Sequence, residues 1–202
     1  MLALPGEGLV TLGNLLGDFI KGRAETIQPH DFRLGVRLHR ELDGFTDAHP
    51  AVKHSKSLIP AERRRVAGIL IDIFYDHFFV EGVDFTWHRQ RLEPFVHALP
   101  EDIRGLPQQM LSSRWFGAYA RVDGIGQILA KMDQRRERAV GLLGGECYLE
   151  DNYEAIRADA LAFFPDMQAF TKEAILRLRS AYPEEAPPDA AGEAASDPRK
   201  TS

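Results

Sequence analysis

The chain has 202 residues, of which 44% are hydrophobic and 27% charged, with a formal net charge of -5 and a single cysteine. This length suits one domain with a sizeable core, and the negative charge argues against a protein that coats nucleic acid nonspecifically. Cys147 alone can form neither an internal disulfide nor a zinc cluster built on thiolates, so we expect a reducing compartment, the cytoplasm. The sequence contains no uncharged apolar run of about 18 residues, so no membrane span is predicted. The N-terminal segment lacks the basic residues of a secretory signal.

Helical periodicity runs through most of the chain, while sustained alternation of apolar and polar residues is nearly absent. The predicted helices cover residues 8–21, 29–47, 60–80, 84–99, 107–119, 125–143 and 147–182. The last of these is expected to bend near Pro165. Residues 183–202 are rich in proline, alanine and glutamate and contain no aromatic residue, which predicts a disordered tail. We therefore predict an all-α fold, a single-domain helical bundle over residues 1–182.

Two aspartates and a histidine interrupt the apolar segment 66–80. A helix that is apolar on every side is typical of a protein core. Asp72 and Asp76 are four residues apart, so their carboxylates share one helix face, and His77 lies one position further round. Burying two like charges is costly unless a cation joins them, which predicts a divalent metal: manganese, magnesium or iron. The alternative is a buried pair satisfied by arginines and backbone groups.

A second helix and the end of the first supply companion groups. His39, Asp43 and Asp47 follow at intervals of four and form a polar stripe opposite the apolar side of their helix. Asp18 sits among apolar neighbours that would draw it inward. If these side chains face Asp72 and the residues after it, several metal-competent groups converge. The alternatives are a solvated helix face for the stripe and a hydrogen bond to a nearby arginine for Asp18.

Five blocks of this sequence resemble the acyl carrier protein phosphodiesterases. They are residues 13–22 (GNLLGDFIKG), 35–47 (GVRLHRELDGFTD), 71–78 (IDIFYDHF), 132–136 (MDQRR) and 163–165 (FFP). That family is similar to the HD-type metal-dependent phosphohydrolases, so the resemblance implies an HD-phosphohydrolase-like helical fold with His and Asp ligands. It also implies a role in lipid metabolism: hydrolysis of holo acyl carrier protein to the apo form, with release of 4'-phosphopantetheine and manganese as the metal.

Several residues receive roles under this hypothesis. The predicted metal ligands or their immediate partners are Asp18, His39, Asp72, Asp76 and His77. The predicted catalytic residues are Asp76, His77, Asp43 and Arg40, where Asp43 could instead orient His39 from behind and Arg40 could contact phosphate. The predicted substrate-binding residues are Lys53, Arg37 and Arg64. His49 could protonate the leaving serine oxygen, although a histidine before a proline is often only exposed.

Carrier proteins of this type are acidic, so we expect basic residues near the site to attract them. Arg33, Arg37, Arg40, Lys53, Lys56 and residues 63–65 are such groups, and a solvated basic face is the alternative explanation.

One feature departs from the family pattern. Members carry a histidine in a short apolar segment before the glycine–asparagine block, whereas this chain has none before His30. Either the sequence begins late or the site lacks that residue, and the second case predicts a different substrate. Two other hypotheses stay open: a phosphohydrolase of the same fold that acts on a nucleotide or other small phosphate ester, and a helical protein that binds an acidic partner without chemistry.

Overall fold

The computed structural model describes residues 8–22, 27–80, 85–110, 117–134 and 141–184. Within these ranges all regular structure is helical, which confirms the predicted all-α fold. The α-helices are α1 Gly8–Leu15, α2 His30–Ala48, α3 Pro50–Ser57, α4 Ala67–Val80, α5 Phe85–Val96, α6 Gly105–Met110, α7 Val122–Gln134, α8 Glu146–Asp151 and α9 Tyr153–Ala181. Short 3-10 turns lie at Gly17–Phe19, Ala61–Arg63 and Glu101–Ile103. Residues 185–202, most of the predicted tail, lie outside the described residues.

Two glycines allow α1 and α2 to cross at close range. A Cβ atom at Gly13 would overlap the carbonyl oxygen of Phe32, and one at Gly35 would overlap the carbonyl oxygen of Val10. Any larger residue at either position would therefore push the helices apart. The crossing sets the separation between the turn that follows α1, which carries Asp18, and His39, which lies one helical turn after Gly35.

Helix α4 is buried over most of its circumference. Its apolar residues Leu70, Ile71, Ile73, Phe74, Tyr75 and Phe78 are each at most 5% exposed. Asp72 is exposed and Asp76 is partly exposed, so the two aspartates form an accessible edge of an otherwise buried helix. The prediction of a core helix is confirmed, while the expectation that Asp72 is buried with it was wrong. Placing that residue at the edge reduces the cost of desolvating its carboxylate but does not remove it.

Helix α9 holds the other helices together by packing against α2, α3 and α4. Its Phe170 stacks on Phe45 of α2 with ring centroids 4.4 Å apart. The helix continues through Pro165, and the chain breaks instead at Asn152, where φ is -122°. The predicted helix 147–182 is thus two helices, α8 and α9.

The sequence analysis missed helix α3. It begins at Pro50, a residue favoured at the first helical position because its missing N–H has no partner there anyway. His49 caps the helix, since its Nδ1 accepts a hydrogen bond from the N–H of Ala51 at 3.2 Å. The predicted helix 60–80 correspondingly starts later, with α4 beginning at Ala67. None of the helices in the described ranges combines the length and apolarity needed to cross a membrane.

Candidate metal centre

Three side chains from two elements converge at the crossing of α1 and α2. The ligand atoms of Asp18, His39 and Asp43 all lie within 4.8 Å of one another. Among the described residues, these three are the group whose possible ligand atoms lie close enough together to hold one metal ion. His39 Nε2 is 3.2 Å from Asp18 Oδ1 and 3.5 Å from Asp43 Oδ2. Both carboxylates therefore address the same ring nitrogen. Asp43 lies on the ligand side of His39, and the alternative that it orients the imidazole from behind is not what the geometry shows.

Local structure presents His39 to these carboxylates. A Cβ atom at Gly17 would overlap the imidazole ring, so the ring needs a glycine at this position. The backbone of Asn14 accepts a hydrogen bond from the ring. Because Nε2 faces the carboxylates, Nδ1 is the nitrogen left for that backbone carbonyl. A backbone acceptor on one nitrogen is the usual way to fix the tautomer of an imidazole that ligates a metal through the other.

The pKa shifts of this group reflect an excess of negative charge beside His39. Burial lowers the pKa of His39, but the hydrogen bond to Asp18 and the charges of both aspartates outweigh it, so the net pKa is raised. The hydrogen bond to His39 lowers the pKa of Asp18. Burial raises the pKa of Asp43, and the neighbouring carboxylates add to this. A proton on His39 thus supplies the positive charge that a divalent ion could supply instead.

Asp72 and Asp76 of α4 face the same region without joining the three-residue group. Protein surrounds Asp72 closely enough that desolvation raises its pKa to about 7, even though one edge of the residue remains accessible. The charges of Asp76, Asp47 and Asp43 raise it further, while Lys56 opposes them. Burial likewise raises the pKa of Asp76. The two aspartates therefore extend the acidic surface beside the three-residue group.

His77 is placed elsewhere. It is 8% exposed, its Nδ1 lies 2.8 Å from the carbonyl oxygen of Tyr119, and its Nε2 lies 3.0 Å from the hydroxyl of Tyr153. Nδ1 therefore carries the proton, and Nε2 accepts from the tyrosine hydroxyl. Both nitrogens are engaged with protein oxygens, which argues against the predicted role of His77 as a ligand and catalytic residue. It is a core histidine that ties α4 to α9.

Comparison with known proteins adds independent information. A family model described as acyl carrier protein phosphodiesterase matches residues 1–167. The chain belongs to this family. The resemblance inferred from the five sequence blocks is thereby confirmed.

The chain matches most of the length of several relatives that carry the family name. The chain is 31% identical over 167 residues to the acyl carrier protein phosphodiesterase of Yersinia pestis, spanning 77% of this chain and 86% of the relative. It is 33% identical over 167 residues to that of Photorhabdus laumondii (77% and 84%) and 30% identical over 168 residues to that of Escherichia coli O139:H28 (78% and 87%). No solved structure matches, and the HD-like detail of the fold stays a prediction.

The arginines predicted on α2 have other partners. Arg40 donates to the carbonyl oxygen of Gly22 at 2.9 Å and so braces the segment that follows Asp18. Arg37 lies with its guanidinium carbon 3.8 Å from the ring centroid of Tyr182. Because residues two apart point about 200° apart on a helix, Arg37 faces away from His39. Arg40 and Arg37 thus make structural contacts in the free protein, and their predicted phosphate and substrate contacts stay predictions.

The remaining predicted residues differ in whether a partner could reach them. Lys53 on α3 and Arg64 before α4 are exposed and accessible to a partner. His49 lies 3.2 Å from Asp166 and packs edge-on against Phe163, in addition to capping α3. That environment corrects its suggested role as a proton donor to the leaving group.

Lys56 is the group near the site whose position the sequence did not reveal. Its Nζ contacts Asp47 Oδ1 at 2.6 Å, and its charge opposes the raised pKa of Asp72. The only sequence signal was its place among several basic residues. Since the missed helix α3 carries it, its approach to the acidic edge could not be predicted.

Proposed function

We propose that this protein hydrolyses the phosphodiester that joins a serine of holo acyl carrier protein to 4'-phosphopantetheine, using a bound divalent ion, with manganese the first choice. The convergence of Asp18, His39 and Asp43 within 4.8 Å carries this proposal, because it lies inside the region matched by the family model. The names of the relatives supply the substrate.

The donor set suits such an ion. Two carboxylates and one imidazole are ligands that Mn²⁺, Mg²⁺ or Fe²⁺ accepts, and the absence of thiolates argues against a site built for a softer metal. The raised pKa of His39 reflects the same excess of negative charge. When bound, the ion would activate water and neutralise charge on the phosphoryl oxygens.

Asp72 of α4 would act as the general base. With a pKa of about 7, Asp72 is suited to accept a proton from the attacking water near neutral pH. A new bond then forms between the water oxygen and phosphorus, the bond from phosphorus to the serine oxygen breaks, and the serine oxygen takes up the proton that Asp72 accepted. Asp18 and Asp43 hold their position through His39, whose ring is fixed by Gly17 and Asn14.

Exposed basic residues would receive the acidic carrier protein. Lys53 and Arg64 are both exposed and precede α4 in sequence. Opposite charges on two partners raise the association rate, and salt weakens the effect. The free thiol of Cys147 suits a reducing compartment, which is why we propose the cytoplasm.

Mass spectrometry of holo acyl carrier protein tests the proposal. The carrier is incubated with Mn²⁺-loaded protein, with chelated protein and with an Asp43→Asn variant. We expect the 4'-phosphopantetheine mass to be lost only with the loaded wild type. If wild type of confirmed metal content leaves the carrier intact but cleaves a small phosphate diester, the carrier protein is not the substrate.

A further inference from the structure

Lys56 occupies an unusual position for a lysine of a helix surface. Its side chain is only 23% exposed, and its ammonium contacts Asp47, whose side chain is 74% exposed. A Cβ atom added at Gly68 of α4 would lie 3.8 Å from Lys56 Nζ. The ammonium of Lys56 therefore reaches across from α3 and lies next to the first turn of α4.

The position matters because Gly68 begins the acidic edge of α4. Residues 68, 72 and 76 succeed one another at intervals of four and so form one stripe along the helix. Lys56 lies over the first of them, and Asp72 and Asp76 follow. The lysine is thus a positive charge at one end of a surface that is otherwise formed by carboxylates.

The ion pair that holds Lys56 is of a kind that exchanges readily. Ion pairs with one solvent-exposed partner contribute little net free energy, because water solvates the separated charges almost as well. The four-carbon stem of lysine is flexible and carries three donors. A different anion placed beside Gly68 could therefore replace Asp47 at small cost.

A phosphodiester is such an anion, and a positive side chain would help the proposed metal ion to hold it. Its single negative charge would approach Asp18, Asp43, Asp47, Asp72 and Asp76, and each of these carboxylates repels it. Arg37 and Arg40 are committed to Tyr182 and to the backbone of Gly22. Lys56 is the partly buried cation that the described structure places against this acidic edge.

We propose that Lys56 is the phosphate-binding residue of the centre, and that it moves from Asp47 to a non-bridging phosphoryl oxygen when substrate binds. This inference rests on the proposed function for the identity of the substrate, but not for the binding of phosphate itself. It gives Asp47 a role as well: this carboxylate holds the lysine in place in the free protein and competes with the phosphate for it.

Binding of inorganic phosphate and of Mn²⁺, measured by calorimetry on the full chain, tests this assignment without relying on turnover. Phosphate is titrated into Mn²⁺-loaded protein, and Mn²⁺ into metal-free protein. The variants are Lys56→Gln, Lys56→Arg, Asp47→Asn and, as a surface control, Lys131→Gln on α7. Lys53→Gln tests whether the neighbouring exposed lysine carries the role instead.

Neutralising Lys56 and neutralising Asp47 should change the phosphate affinity in opposite directions. Lys56→Gln should weaken phosphate binding by about tenfold or more, as expected for loss of a charged hydrogen bond. It should leave Mn²⁺ binding intact or tighter, because a repelling charge is removed. Lys56→Arg should restore phosphate binding in part, Asp47→Asn should strengthen it, and Lys131→Gln should change neither ligand.

Other results would overturn the assignment. Two results together would make the lysine structural. Lys56→Gln would lose Mn²⁺ binding or the folded circular dichroism spectrum, and Lys56→Arg would restore the fold but not phosphate binding. Loss of phosphate binding in Lys53→Gln alone would transfer the role to Lys53. If the expected pattern holds and wild type still leaves holo acyl carrier protein intact, Lys56 keeps its role and only the proposed substrate fails.

Discussion

His39 and His77 share a sequence context but occupy opposite kinds of environment. Each lies on an α-helix and has aspartates nearby in sequence. His39 points one nitrogen at two carboxylates near the surface, whereas His77 is buried and gives both nitrogens to neutral oxygens. We infer that the charge of the partners, and whether both ring nitrogens already have one, separate the proposed metal-binding histidine from the structural one. Proximity to aspartates along the chain does not.

The strongest test of this comparison removes His39. We expect His39→Ala to reduce Mn²⁺ affinity and turnover by at least about 100-fold, since even the outer partners of metal ligands typically contribute 10–100-fold. Because the residue lies at the edge of the core, the free energy of unfolding of the metal-free protein should change little. Calorimetric titration with Mn²⁺ and chemical denaturation measure the two effects. Retention of wild-type metal affinity would remove the centre from the crossing of α1 and α2.

The reciprocal variant is His77→Phe. It leaves the carbonyl of Tyr119 and the partly buried hydroxyl of Tyr153 without their partner, which should cost about 2–4 kcal/mol of unfolding free energy. Mn²⁺ affinity should remain that of the wild type. Tyr153→Phe, which removes only one of the two hydrogen bonds, should cost less. A His77→Phe variant that folds normally but no longer binds Mn²⁺ would show that the two histidines have been assigned the wrong way round.

A smaller change acts on His39 through its neighbour. In Gly17→Ala the new methyl group overlaps the imidazole ring, so the ring must shift, and we expect Mn²⁺ affinity to fall about tenfold. Gly44→Ala is the matched control, because its Cβ atom meets nothing within 4 Å. That control should stabilise α2 by about 0.5–1 kcal/mol without affecting the metal. Equal metal affinity in both variants would mean that the ring is not held by close packing.

The last prediction concerns the dependence of stability on pH. The folded-state pKa of Asp72 is about 7, above its ordinary value of 3.8, so the folded state retains a proton that the unfolded state has lost. Deprotonation of Asp72 therefore destabilises the folded, metal-free protein as pH rises from about 4 to 7. Asp72→Asn avoids this loss, and its stability relative to wild type should increase over the same range. Denaturation curves at pH 4, 6 and 8 measure the difference, and a constant difference would place Asp72 in an ordinary solvated environment.

Much of the fold was accessible from periodicity because helices depend on local spacing. The prediction for residues 29–47 agrees closely with α2, His30–Ala48. The helix over Pro50–Ser57 was missed since its eight residues show too little periodicity, although Pro50 marks its start. The break at Asn152 was missed because apolar spacing continues on both sides of it.

The sequence likewise identified some features of the candidate site and missed others. Asp18, His39 and Asp43 were identified from residue type and spacing, and the resemblance rested on segments that contain them. The environments of His77, Arg37 and Arg40 were not, because each makes its contacts with residues that are distant along the chain or in an irregular segment. A pattern of donors does not reveal which of them have already found partners.

The sequence by itself therefore determined the helical class, the family and the set of residues able to bind a metal. These follow from local spacing and residue chemistry. Only the tertiary structure decided which donors meet, since the close crossing at Gly13 and Gly35 brings the turn that carries Asp18 against His39. It also placed Lys56 beside the acidic edge of α4, because electrostatic interactions depend on distances between side chains that the order of residues does not specify.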